Sequence, residues 1–200
     1  MKKNTYSGKF IVFEGLDGSG QSTQSNLLRK FLLEKGNNVV LTKEPTFNSQ
    51  AGKKIRQILD KKEKIFPQKL QELFAEDRKE HLENIVIPAL QKGEVVISDR
   101  YYFSSFAYGM SDGLDIDWLI ETNNNFLLPD ITFLLKVSPD VCLERIQGRG
   151  SERTLFEEKK KLEKVWNFYA GLPKRFENMF IIDGQKSIEE VFESVKKILN

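Results

Sequence analysis

The sequence predicts an α/β fold: a parallel sheet of five strands flanked by helices. Three observations point there. Short apolar runs of strand length occur at residues 9–14, 38–42, 94–98, 131–137 and 179–182. The stretches between them are long enough for helical crossovers, which parallel strands require. The first run also passes through a glycine-rich turn straight into a helical pattern.

Along the chain, residues 1–8 are polar, lack the apolar core of a secretory signal, and read as a mobile leader. KFIVFE (residues 9–14) is a short buried strand, and residues 23–35 carry helical periodicity through Leu27, Leu28, Phe31 and Leu32. The longest helix is predicted over 67–91, after the strand at 38–42 and before the one at 94–98. Cys142 lies on a helix beside Val141 and Leu143. Between 147 and 154, Gly148 and Gly150 interrupt an arginine-rich segment, which predicts a loop between two helices with the mobility of a lid. The last helix is predicted over 187–199, where Ser187 and Glu190 have capping-box spacing.

Composition bounds the function. At 200 residues with 40% apolar content, the chain suits one domain spanning 1–200 with a sizeable core. No apolar run is long enough to span a membrane. A net charge of +2, with basic and acidic residues interspersed, gives no reason to expect nucleic acid as a partner. One cysteine excludes an internal disulfide and suggests a reduced, cytoplasmic setting.

The chemistry gathers at two turns. In Gly15-Leu16-Asp17-Gly18-Ser19-Gly20-Gln21-Ser22-Thr23 the glycines let successive N–H groups and a helix N-terminus converge on phosphate oxygens. Gln21 stands where such loops carry lysine, so an amide replaces a full positive charge. Asp99-Arg100 follows the strand EVVIS, at the carboxyl end where α/β sheets bind ligands. There an aspartate can hold magnesium and a guanidinium can grip phosphate; a capping Asp99 paired with Arg100 is the plainer alternative. Phe74 and Arg78 share a helix face, with His81 close to the stripe, which suits a stacked and edge-bonded base or an ordinary core residue beside a surface arginine. His81 reads as structural. YYFSSFAY offers hydroxyls from Ser104, Ser105 and Tyr108 beside an aromatic wall.

In order and spacing, FIVFEGLDGSG, KEPT, LFAEDRKEH, VVISDRYYFSSFAY, LPDITFLLKVSP, LERIQGR and IIDGQKSIEEV resemble the thymidylate kinase family of P-loop nucleoside monophosphate kinases across nearly the whole chain. The resemblance implies transfer of the γ-phosphoryl group of ATP to dTMP, giving dTDP for dTTP synthesis, on the P-loop kinase fold with a lid at about 147–155. It implies that Gly15, Leu16, Asp17, Gly18, Ser19, Gly20, Gln21, Ser22 and Thr23 hold ATP, with Arg145 against adenine and Gln185 on its other side. Phe74 would stack on thymine, Arg78 bond its edge, Asp17 face the deoxyribose hydroxyl and Pro45 shape the monophosphate pocket. Arg100 would grip the monophosphate, while Ser104, Ser105 and Tyr108 complete the acceptor site. Asp99 and Ser22 would organise Mg2+. Gly18 occupies a position that is basic in some members, so catalysis would pass to Arg100 with Arg149 and Arg153 of the lid. A homodimer is implied as well.

Three positions depart from the family: Gln21, Gly109 where many relatives have a thymine-reading glutamine, and Lys43-Glu44-Pro45-Thr46 where arginine often comes first and glycines follow the proline. Gly109 leaves room for another monophosphate or a deoxynucleoside as acceptor. Gln21 leaves room for a nucleotide-binding pseudokinase.

Overall fold

The computed structural model describes residues 1–60, 63, 65–147 and 155–199. Among them, five strands form one parallel sheet: β1 (Lys9–Gly15), β2 (Val39–Lys43), β3 (Val95–Asp99), β4 (Ile131–Lys136) and β5 (Met179–Asp183), in the order β2-β3-β1-β4-β5. All five lie within one or two residues of the predicted strands. The chain crosses between them through helices α1 (Gln21–Glu34), α2 (Gln50–Leu59), α3 (Pro67–His81), α4 (Ile87–Gln91), α5 (Tyr102–Ser111), α6 (Ile116–Asn123), α7 (Pro139–Gln147), α8 (Leu155–Gly171) and α9 (Ile188–Leu199).

β1 sits at the centre of the sheet, and this is why its run is continuously apolar. Phe10 and Val12 point to one face, where they pack with Phe103 and Phe106 of α5 and Val165 and Tyr169 of α8. Ile11 and Phe13 point to the other, against Leu28 of α1 and Val191 and Val195 of α9. The Phe13 and Phe133 rings lie 5.0 Å apart across the β1–β4 pair. Both layers are buried, so each fully buried aromatic or aliphatic side chain contributes about 1.5–3 kcal/mol of transfer free energy.

The predicted 67–91 helix is present with one wider turn. α3 runs through a π turn (Leu82–Val86) into α4, and the Ile87 N–H reaches back five residues to the Leu82 carbonyl. Pro88, which has no N–H and would crowd the carbonyl four residues earlier, follows directly. The capping box of α9 forms as expected: Ser187 N donates to Glu190 Oε2 at 3.1 Å and Glu190 N to Ser187 Oγ at 3.3 Å.

The leader departs from expectation. Lys2 forms a parallel bridge with Leu127, donating to the Phe126 carbonyl at 2.9 Å and accepting from Leu128 N at 2.7 Å. Asn4 Nδ2 also donates to Asp130 Oδ2, which takes the Phe10 N–H as well, each at 2.7 Å. These backbone and carboxylate partners tie the segment down, a restraint its polar composition does not reveal. Cys142 is buried, and burial pushes its thiol up to about 12, so it is protonated at neutral pH. No helix among the described residues is long and apolar enough to cross a membrane.

Candidate active site

The strand order places the two chemical turns side by side. β3 is hydrogen-bonded between β1 and β2, with Phe13 in register with Asp99 and Asp99 in register with Lys43. The glycine loop and Asp99-Arg100 therefore emerge together at the carboxyl edge, beside the reversal in strand order where α/β sheets bind ligands. Arg100 takes a positive φ of 75°, unusual for a side-chain-bearing residue, and its N–H is held by the Phe13 carbonyl at 2.9 Å. That strain, overdetermined by its neighbours, turns the guanidinium towards the glycine loop.

The loop from Gly15 to Thr23 wraps a small cavity of about 120 Å3, lined by Asp17, Gly18, Gly20, Gln21, Ser22 and Thr23 together with Lys43, Asp99 and Arg100. Gly20 supplies the left-handed turn (φ 101°) that opens α1, leaving the first N–H groups of the helix free for an anion. Gly18 explains the missing basic residue: its φ is +84°, and a Cβ would lie 2.6 Å from the Cys142 carbonyl of α7. Leu16 is buried in the core and Ser19 is buried with its hydroxyl unpartnered. Gln21 is buried and folded inward, its Nε2 donating to the Gly15 carbonyl at 2.8 Å. Ser22 Oγ donates to Asp99 Oδ2 at 2.5 Å, so the two residues expected at a metal are in contact.

A second cavity of about 340 Å3 adjoins the first and is lined by every residue expected at the acceptor: Asp17, Pro45, Phe74, Arg78, Arg100, Ser104, Ser105 and Tyr108. Phe47, Leu59 and Leu70 add an apolar wall. Arg100 joins the two spaces. Its guanidinium donates to the Gly15 carbonyl (3.0 Å), Ser104 Oγ (2.9 Å) and Asp17 Oδ1 (2.8 Å), while the Tyr108 hydroxyl holds Asp17 Oδ2 at 3.0 Å.

Arg78, almost wholly buried, donates to Glu44 Oε2 (2.7 Å), Asn123 Oδ1 (2.6 Å) and Ser105 Oγ (3.3 Å). Three of its five N–H groups are thus used to orient it. His81 takes the structural part expected of it, with Nδ1 2.9 Å from Glu44 Oε1 and Nε2 2.7 Å from Thr42 Oγ1. Asp77 clamps the Glu44–Pro45 turn to α3 by accepting from Thr46 N (2.7 Å) and Ser49 Oγ (2.6 Å). Gly52 lets α2 approach this turn, since a Cβ there would lie 2.0 Å from the Thr46 carbonyl.

Gly109 faces α6 instead of the cavity, and a Cβ would meet Leu119 at 2.9 Å. Close helix packing therefore occupies the position where the resemblance leads one to expect glutamine. Arg145 donates to the Gly184 carbonyl at 3.3 Å, and Gln185 Oε1 accepts from Ser138 N at 3.2 Å. The two expected adenine neighbours thus each bond backbone just past the carboxyl ends of β4 and β5. The lid expected at about 147–155, with Arg149 and Arg153, falls largely on 148–154, outside the described residues.

Glu14 was not legible as a site residue, because it reads as the polar end of a strand. It is fully buried at the back of the site, accepting from Tyr101 N (2.9 Å), Ser104 N (3.1 Å), Ser104 Oγ (2.6 Å) and the Tyr169 hydroxyl (2.9 Å). Burial raises its carboxyl to about 7 from the usual 4.5, against the opposing pull of Arg100 and these donors. The folded protein holds this proton more tightly than the unfolded chain does. The associated stability is present below about 4.5 and is lost as pH rises through about 7. We expect urea unfolding of the native chain to show a loss on the order of 3 kcal/mol across that window, from 1.36 kcal/mol per pH unit. Glu14→Gln is expected to flatten the slope; an unchanged slope would show that Glu14 does not titrate there.

The chain is similar to known proteins along nearly its whole length. A thymidylate kinase family model matches residues 13–195. A protein of Pyrococcus horikoshii described as a probable thymidylate kinase is 42% identical over 194 residues, covering 94% of each chain. One of Thermococcus gammatolerans, described in the same words, is 41% identical over 198 residues and 94% of each chain. A thymidylate kinase of Caldicellulosiruptor saccharolyticus is 39% identical over 199 residues and 96% of each chain. With two adjoining cavities at the expected strand ends and a family match over nearly its whole length, this chain belongs to the thymidylate kinase family.

Proposed function

We propose that this chain transfers the γ-phosphoryl group of ATP to dTMP, giving ADP and dTDP. The observation that carries the reading is the position of Arg100, whose guanidinium borders both the glycine-loop cavity and the adjoining larger one. Phosphoryl transfer asks for alignment and charge neutralisation, and one fixed cation between donor and acceptor serves both.

In this reading the loop N–H groups and the start of α1 hold the ATP phosphates. Phe74 stacks on the thymine, Arg78 and Ser105 bond its edge, and Asp17 with Tyr108 faces the sugar. Arg100 presents the acceptor phosphate, ionised near neutral pH, so that one of its oxygens bonds to the γ-phosphorus as the bond to the β-phosphate oxygen breaks. No protein base is needed. Arg149 and Arg153 complete the charge around the γ-phosphate, and Arg145 and Gln185 flank adenine.

The residues present suit Mg2+: Ser22 and Asp99, adjoining oxygen donors beside the loop, would hold it directly or through water. When bound, it neutralises charge on the phosphate oxygens. We also assign to the chain a homodimeric state, which follows from the resemblance, and a place in the cytoplasm, which follows from its single cysteine.

The experiment is an acceptor panel with ATP and magnesium. Rates for dTMP are expected to exceed those for dUMP, dCMP and dGMP by about tenfold or more, since Arg78 and Ser105 match one base edge and the apolar wall rewards a methyl group worth roughly 1–3 kcal/mol. Gly109, standing where the resemblance expects a thymine-reading glutamine, favours a second reading in which another pyrimidine monophosphate is taken equally well. Equal rates for dTMP and dUMP would select it.

A further inference from the structure

Resting on the reading of this chain as a phosphotransferase, we infer that Lys43, at the end of β2, supplies the phosphate-facing positive charge that Gln21 lacks.

Three observations carry this. First, Gln21 is not placed as a substitute donor: its amide is buried and spends a hydrogen bond of 2.8 Å on the carbonyl of Gly15 in its own loop. Second, parallel register sets Lys43 directly beside Asp99, and the ammonium lies 3.1 Å from Asp99 Oδ2, the same oxygen that accepts from Ser22 of α1. The lysine thereby reaches across β3 to the mouth of the glycine loop. Third, only Asp17, Lys43 and Arg100 line both cavities among the described residues, and two of the three are cations.

These two cations differ in freedom. Arg100 is held by three acceptors and is 14% exposed at its side chain. Lys43 is 52% exposed and has one carboxylate partner, so its four-carbon stem can swing from Asp99 to a phosphate oxygen without breaking a packed network. A cation on a flexible stem at the boundary of two phosphate sites meets the charge that builds between donor and acceptor oxygens.

The test relocates the charge. Lys43→Met is expected to lower kcat for dTMP phosphorylation by about 100-fold, the cost of one charge-assisted contact to the transferring group, while Lys43→Arg retains most of it. Adding Gln21→Lys to the Lys43→Met chain is expected to return turnover to within about tenfold of the native protein, because the positive charge is restored at the loop. Titration calorimetry with inorganic tripolyphosphate follows the same three proteins independently of turnover, with affinity expected to fall about tenfold and then recover. A Lys43→Met protein within about threefold of native in both measurements would overturn the inference. So would a loss that Gln21→Lys does not restore, since Lys43 would then serve only to hold Asp99. A native chain that transfers no phosphate yet shows the tripolyphosphate pattern would reject the kinase reading and keep the Lys43 assignment.

Discussion

Arg100→Met is expected to lower kcat/KM for dTMP phosphorylation by about 10^3-fold, in the range observed when one cation or oxyanion donor is removed from a transferring group. The size follows from where the side chain sits. Its guanidinium is fixed by the Gly15 carbonyl, Ser104 and Asp17, so its charge is aimed before substrate arrives and costs no reorganisation during the reaction. Arg100→Lys is expected to recover little, because an ammonium cannot keep a paired grip on phosphate while also bonding Asp17 and Ser104. Thermal unfolding of both variants separates chemistry from folding. A drop of less than tenfold in a folded Arg100→Met protein would show that this residue does not face the transferred group.

The largest expected effect on stability lies one layer behind the site. Glu44→Ala removes the carboxylate that accepts from Arg78 Nε at 2.7 Å and faces His81 Nδ1 at 2.9 Å, both partners being almost wholly buried. An uncompensated guanidinium then remains between Asn123 and Ser105, which offer neutral acceptors only. Breaking a buried pair in this way costs about 3–5 kcal/mol, read from the urea midpoint at constant m value. The same change frees Arg78 from its orienting partner, so affinity for dTMP is expected to fall along with stability. A loss below about 1 kcal/mol would mean that water reaches Arg78 in the native state.

Much of this was legible in the sequence, and for physical reasons. Central parallel strands are buried on both faces, so KFIVFE and EVVIS read as continuous apolar runs, and the glycine turn between β1 and α1 has a spacing that only its backbone geometry demands. Asp99 and Arg100 were found because they follow such a run. Glu14, Asp77 and Asn123 were missed, since buried polar residues that serve one hydrogen-bond network have no period and look like the ends of strands and helices. α2 was missed because its Gly52 lowers helix propensity, although close contact with the Thr46 carbonyl requires a glycine. Lys43 was noted only as a departure from the family. Its closeness to Asp99 depends on the register of β2 against β3, which no local pattern records.

For this chain to be a kinase, phosphate must move despite an uncharged residue in the first turn of α1. Mixing the native protein at stoichiometric concentration with ATP, magnesium and dTMP, and following phosphorus resonances through a single turnover, tests this directly. ADP and dTDP are expected to appear together in equal amounts, and only when dTMP is present. Saturated binding of both nucleotides with no dTDP formed would contradict the kinase reading and leave a protein that holds the two without joining them.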